Sequence, residues 1–408
     1  LQQQHTMATH NHKNFLFHRD VLLSSILTFV ILFLLKLIIF NTKFLDPISQ
    51  ALGDFQFTDL YYSQFQSKRT DIDTNIVLIN VGENNRAAIA EQLEVIQSFK
   101  PKVIGLDVTF IEQKDPTIDS LLKHALHGKI PVMMTENIVY NEQDNDAQFS
   151  IESSHPYFAK QNDEGYGNFL AEEGNTVRYY TPQLEKNGKQ IPSLSVRITE
   201  IFDNEATRKL IVRNRKSEII NYRTNNFPKL DVDDVFGSAD LNFIRGKIVL
   251  MGYMGSNLHQ KAFDDNKLTP LNKSYGGHAL PDMYGVEIHA NIISMILSGS
   301  YIQEVPMWLT LLLAFIVCVL HTYIFVYLFI YQHKWFHFVA KIIQLVSMAL
   351  IVFVCILIYG KFSLKLEPSY IVIGVVLSCD ALYFYEGFAQ MANNKFGFNS
   401  LFVSHHNS

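Results

Sequence analysis

Glu287 and His289 stand two residues apart at the head of an apolar run, "DMYGVEIHANIISMILSGSYI", from Asp282 to Ile302. A carboxylate near an imidazole can hold a metal or move a proton. The helical zinc arrangement needs two histidines four residues apart with a glutamate as base, and that spacing is absent here. Residues two apart on a helix do not share a face. The expected roles are therefore structural, with Glu287 near a helix start, where an anion is favoured, and His289 satisfied by a neighbouring loop. "MGYMGSN" follows an apolar strand and has the glycine content of a phosphate cradle. A cradle needs a helix start behind it, and "LHQKAFDDNKLTP" offers neither that nor a Walker lysine pattern. Asp107 ends a second apolar strand, and Asp264 and Asp265 lie in a later loop. They either line the crevice where open α/β sheets bind ligands or cap a strand end and sit in solvent. The ligand-binding candidates are thus Asp107, Asp264, Asp265, Glu287 and His289. No catalytic residue, metal ligand or cofactor is expected.

Asp380 raises a different question, because it lies near the middle of a long apolar block. A charge there is costly and usually faces a helix bundle and pairs. Counting 1.5 Å per residue from the outer boundary puts Asp380 about 16 Å deep and His321, in another block, about 22 Å deep. The pair His321 and Asp380 is the expected intramembrane contact, with a partner contact or a proton path as the other roles for Asp380. Lys36, nearer the end of the first block, can snorkel.

The elements that would position these residues fall into two kinds. The chain has 408 residues, 48% apolar and 18% charged, more apolar than an average soluble enzyme. The excess lies in four blocks, residues 21–40, 306–331, 341–359 and 369–388. The first, "VLLSSILTFVILFLLKLIIF", is long enough to cross a hydrocarbon core. It is longer than the apolar core of a signal peptide and lacks a small-residue cleavage site, so a retained anchor is expected. Cys318, Cys355 and Cys379 all lie in apolar blocks, leaving no disulfide or thiolate metal site for the polar region. That region, 41–305, carries 26 basic and 35 acidic side chains, which argues against nucleic acid as a partner. Lys13 and Arg19 before the first block, and Lys334 and Lys341 between the second and third, favour a cytoplasmic side for both tails (1–20 and 389–408) and that loop. The polar region would then lie outside the cytoplasmic membrane. The 20-odd residues after Phe388 are too few for a catalytic domain.

Within 41–305 the pattern is α/β with a mixed sheet. "NIVLINV" reads as a buried strand, "RAAIAEQLEVIQSF" as a helix, "KVIGLDV" as a strand, Asp119 to Leu126 as a helix and "KIPVMM" as a third strand. That is the alternation of parallel βαβ units. Val139 to Gln161 reads as a long acidic surface loop, and "GYGNFLAEEGNTVRYYTP" as two short strands around a turn. "IPSLSVRITEIF" reads as a helix, "EIINYR" as a strand and "IRGKIVLMGYMG" as a buried strand. From Val286 the apolar spacing predicts a helix stopped by Gly299. Tyr301 and Trp308 then flank the membrane junction.

"GVEIHANIISMILSGSYI" resembles the end of the type 2 CHASE domain, an extracellular sensory module of bacterial cyclases and kinases. "NIVLINV", "KPKVIGLDVTF", "GYGNFLAEEGNTVRYY", "IPSLSV" and "GKIVLMGYMGSN" resemble other parts of that family in the same order. The resemblance spans about residues 45 to 305, and the family's layout of one span before and three after also fits. This chain departs from it at "VGENNR", where the family has an acidic pattern, and at Glu173, which stands where an aspartate precedes the turn glycine. Family members usually continue into a kinase or cyclase, which is not expected here. Taken with the span count and the short final tail, the expectation is a non-enzymatic, multi-pass protein of the bacterial inner membrane with its large domain in the periplasm. Its expected role is receptor-like or scaffolding, acting through membrane or envelope proteins or a second copy of itself. The alternative is a ligand-sensing subunit that signals through a separate cytoplasmic kinase or cyclase.

Overall fold

The computed structural model describes residues 18–40, 56–66, 73–140, 149–160, 163–169, 176–223, 226–237, 240–259, 266–273, 280–331 and 335–406. The chain divides into two units, Gln50–Ile302 and the remainder.

The first unit is built on one seven-stranded sheet. Strand β1 is Ile76–Asn80, followed by helix α2 (Arg86–Ser98; α1 belongs to the other unit), β2 (Val103–Leu106), helix α3 (Pro116–Leu126), β3 (Val132–Tyr140), β4 (Phe149–Glu152) and β5 (Glu164–Tyr166). Helices α4 (Leu194–Phe202) and α5 (Asn204–Val212) come next, then β6 (Lys229–Leu230), a one-turn helix α6 (Val232–Phe236), β7 (Ile248–Gly252) and helix α7 (Gly285–Ser298). The order is β6-β1-β7-β2-β3-β4, with β5 also on β3; β4 alone is antiparallel. The mixed sheet is as expected, and β7 is inserted between β1 and β2 in matched register, Leu78 opposite Leu250 and Leu250 opposite Gly105.

Every residue of β1, β2 and β7 is buried, because helices cover both faces. Val77, Ile79, Ile104, Leu106, Val249 and Met251 pack against Ile89, Leu93 and Ile96 of α2 and Leu122 and Leu126 of α3. The alternate residues Ile76, Leu78, Val103, Ile248 and Leu250 pack against Leu194 and Ile198 of α4 and Val286, Ala290 and Ile293 of α7. Each of these valine, leucine, isoleucine and methionine side chains contributes roughly 1.5–3 kcal/mol by burial. The helix starts are capped by side chains: Asn85 accepts from Ala88 N, Asp115 from Thr117 N and Ile118 N, and Ser193 from Val196 N.

Three expectations are corrected. β3 runs on to Tyr140 and pairs with β4, so part of the predicted acidic loop is edge strand. The two strands read in "GYGNFLAEEGNTVRYYTP" form no hairpin. β5 joins β3, whereas Tyr179–Tyr180 pairs with Glu218–Ile219. The predicted strand "EIINYR" contributes only Glu218–Ile219.

Among its described residues, the second unit holds four helices long and apolar enough to cross a membrane. They are α1 (Arg19–Phe40), α8 (Met307–Tyr331), α9 (Phe336–Phe362) and α10 (Ser369–Phe396), followed by a short α11 (Leu401–His406). Ser24, Ser25 and Thr28 of α1, Ala314, Cys318 and Thr322 of α8, and Gly374, Ser378 and Ala381 of α10 are all buried. Small residues at these positions let helix backbones approach closely. A Cβ on Gly374 would meet Cys318 at 3.9 Å. α9 is the least buried of the four. Gln344 on α9 donates to the carbonyls of Val375 and Val376, a polar link the sequence reading missed.

The expected pair of His321 and Asp380 is not formed. The His321 ring is hydrogen-bonded to Val317 O and to Ser347 Oγ of α9, each at 2.9 Å. Asp380 lies 3.9 Å from Lys341, and both side chains are more than half exposed. Rise along a helix fixes depth but not azimuth. His321 and Asp380 both lean on α9, at positions six residues apart, about 9 Å along its axis. Asp20, read as part of a tail, is fully buried and accepts from Tyr385 Oη at 2.6 Å, Leu401 N at 2.8 Å and Ser400 Oγ at 3.2 Å. It thereby holds the start of α11 against α1 and α10, and Phe402 is buried with Phe329 and Tyr385.

Candidate functional site

α7 is buried on every side from Gly285 to Ile296, so each polar side chain it carries needs a partner. Glu287 caps its own helix, accepting from Tyr284 N at 2.9 Å, and pairs with Lys229 of β6. Asn291 accepts from Arg223 N at 3.0 Å and donates to Glu287 O at 3.0 Å. Ser294 donates to Asp73 at 2.6 Å. The His289 Nδ1 lies 2.8 Å from Ser195 Oγ on α4. His289 is thus held by a helix, with the Gly167 backbone of the loop after β5 also close to its ring. Gly299, at φ +62°, ends α7 in the left-handed conformation that glycine adopts without strain. One atom of this set is left over: His289 Nε2 has no hydrogen-bond partner among the described residues, although the residue is only 3% exposed.

His289 lies beside Asp107 at the carboxyl end of the sheet. Asp107 follows β2 there, half-buried, its backbone N–H tied to Met251 O at 2.8 Å. Thr135 of β3 donates to Asp107 Oδ1 at 2.9 Å. Three glycines surround the carboxylate: a Cβ on Gly285 would stand 3.5 Å from Oδ2, one on Gly167 3.5 Å from Oδ1, and one on Gly252 3.3 Å from the Asp107 Cβ. The Phe169 ring lies 4.7 Å from the His289 ring. Tyr253 and Tyr284, next to two of the glycines, meet edge to face at 6.4 Å. No cation pairs with Asp107 among the described residues.

Burial pushes the His289 imidazole below its ordinary value, against the opposing pull of the Asp107 carboxylate and the Gly167 backbone. The Gly167 backbone lies close enough to favour the protonated ring without meeting hydrogen-bond geometry at Nε2. A depressed imidazole contributes stability above its unfolded value near 6.5, and that contribution is lost as pH falls below it.

Of the expected ligand residues, Asp107 and His289 are brought together. Glu287 is turned to Lys229 and its own helix start, and Asp264 and Asp265 lie outside the described residues. Ser195, Thr135, Gly167 and Phe169 were not singled out from sequence. Ser195, His289 and Asp107 share the composition of a nucleophile relay, but Ser195 is fully buried, so no substrate carbonyl can reach its hydroxyl. No group of three potential ligands is placed to hold a metal among the described residues.

An acidic pair lies on β3 and β5. Glu136 accepts from Ser153 Oγ at 3.1 Å, and Glu164 accepts from Ser154 N at 2.7 Å. Burial raises both carboxyls, and the charge of Glu136 raises Glu164 further. A raised carboxyl contributes stability below its unfolded value, lost as pH rises through the folded one. Glu136→Gln should therefore melt higher than the parent chain at pH 7.5. The gap should close towards pH 4.5 in parallel thermal melts; a lower midpoint for the variant at pH 7.5 would contradict this.

The CHASE2 domain family matches residues 27–324 of the chain. No curated protein and no solved structure matches it.

Proposed function

The chain belongs to the CHASE2 domain family, and we propose that it is a receptor-like membrane protein that reads a small ligand and acts through partner proteins. The family is one of sensory domains, and four apolar helices suit a multi-pass membrane protein. In this reading the α/β unit lies outside the cytoplasmic membrane of a bacterium. The observation that carries the sensing role is the polar pair at the head of α7, where, among the described residues, the Asp107 carboxylate is held only by Thr135 and the buried His289 Nε2 has no hydrogen-bond partner. α7 is bonded to β6, α4 and two further segments, and eight residues after its end the chain enters α8. A change at Asp107 would therefore act on the element that leads into the membrane helices.

Topology is tested by Val212→Cys, at a position 83% exposed on α5. An impermeant thiol reagent should label it in spheroplasts; labelling only after lysis of the inner membrane would contradict the orientation. Output is tested by purifying the chain in mild detergent and identifying what accompanies it. A co-purifying cytoplasmic kinase or cyclase supports the sensor. Envelope proteins alone, with no change on adding ligand, would favour a scaffold that merely presents the domain.

A further inference from the structure

We infer that α9 and α10 present the surface on which a second copy of this chain docks within the membrane, with Lys341 of one copy set against Asp380 of the other. The inference rests on reading the four apolar helices as membrane spans. Asp380 lies inside α10, about 16 Å from its start and about 24 Å from its end at 1.5 Å per residue. Neither helix end carries it out to water. A charge at such depth faces a bundle interior and pairs there. In a single copy that requirement is only half met. The Asp380 side chain is 56% exposed, and Lys341, 58% exposed, stands 3.9 Å away, beyond hydrogen-bond distance. Neither group makes a hydrogen bond among the described residues, so the ammonium donors and the carboxylate lone pairs remain open. One turn nearer the start of α9, His337 stacks on Tyr383 of α10, its Nε2 3.0 Å from the phenol oxygen, also at the surface. The two helices thus expose a polar seam of two rungs.

The residues around Asp380 fit a helix. Ile373, Leu377, Asp380, Phe384, Gly387 and Met391 follow one another at alternating steps of four and three, which sets them on one stripe. Ile373, Phe384 and Met391 are exposed. Gly387 lies between the last two, and a Cβ there would meet nothing within 4 Å. A glycine at such a place lets another helix approach closely, and one polar residue in an apolar seam fixes its register. Charge and depth then name the occupant. Lys341 and Asp380 stand side by side in one chain and therefore lie at one level. A two-fold axis along the membrane normal keeps every residue at its own level, so it sets the ammonium of each copy level with the carboxylate of the other. Opposite charges alternate across the axis, and the surface is complementary to itself.

The test is recovery of two differently tagged, co-expressed full-length copies from membranes in mild detergent, with the mass of the complex read by light scattering. Parent copies should be recovered together as a pair. Lys341→Asp and Asp380→Lys should each reduce self-recovery about tenfold or more, because like charges then face each other. Expressed together, these two variants should recover each other at the parent level, since one copy then carries two carboxylates and the other two ammonium groups. Gly387→Leu should reduce self-recovery several-fold. Its new side chain starts from a position clear of its own chain, so it serves if the charge variants fold poorly. A parent chain that stays in the membrane on alkaline extraction but runs as a single copy overturns the inference and leaves the spans standing; release on extraction overturns both. Self-recovery that survives Gly387→Leu and both charge variants overturns the surface, as does a mixed pair that recovers no better than either variant alone. A different protein recovered in place of the second copy, and lost with Gly387→Leu, overturns the second copy as the occupant.

Discussion

Arg178→Ala should destabilise the α/β unit by about 3–5 kcal/mol, the cost of breaking a buried ion pair from one side. Arg178 Nε donates to Asp59 Oδ1 at 3.0 Å and a terminal nitrogen donates to Oδ2 at 2.7 Å. Both side chains are less than a tenth exposed. Asp59 sits in a helical turn, Phe57–Leu60, where Oδ2 also accepts from Gln56 N at 2.9 Å. Next to it Tyr62 packs edge-on to Tyr222. The pair fastens the segment that precedes β1 to the segment that follows β5. Alanine would leave the Asp59 carboxylate buried without its counter-ion. Arg178→Lys keeps the charge but loses the planar two-point contact, so it should cost less. Chemical denaturation of both variants checks this; a loss below about 1 kcal/mol for Arg178→Ala would show the pair to be dispensable.

Gly165→Ala should be the second severe substitution. The new methyl would stand 2.8 Å from Leu194 N, 2.9 Å from Leu194 Cα and 2.9 Å from Ser193 C. These are backbone atoms at the start of α4, so no side-chain rotation relieves the clash. Overpacking of this kind costs about 1–3 kcal/mol, occasionally more. The strain falls on the turn that carries Ser195, and Ser195 orients His289. The variant should therefore melt lower than the parent chain in thermal scans. A midpoint equal to the parent's would mean that β5 and α4 are less tightly apposed than the structure has them.

The alternation from β1 to β3 was legible because both sheet faces are covered. Its strands are unbroken apolar runs, and its helices carry stripes such as Ile89, Leu93 and Ile96. β4 was not legible. It is an edge strand of alternating exposure, "FSIE", beside an acidic segment, and polarity at a sheet edge looks like a loop. The site was legible only in part. Asp107 marks itself by ending an apolar strand, and His289 by interrupting an apolar helix. Ser195 and Thr135 carry no such mark. Each acts on a residue far away in sequence, His289 and Asp107, through contacts that only the folded sheet creates. Glu287 was rightly placed near a helix start, but its second partner, Lys229, could not be read from periodicity. In the helical unit, residue counting gave depth without direction, so His321 and Asp380 were paired where each in fact leans on α9. Asp20 was missed because its partners, Tyr385, Ser400 and Leu401, lie at the far end of the chain.

The central claim is that a change at Asp107 acts on α7. Hydrogen exchange of the full chain in nanodiscs, compared between the parent and Asp107→Asn, tests it most directly. Amides from Gly285 to Ala290 should exchange faster in Asp107→Asn than in the parent chain. Changes confined to other elements while α7 stays unaltered would contradict the claim.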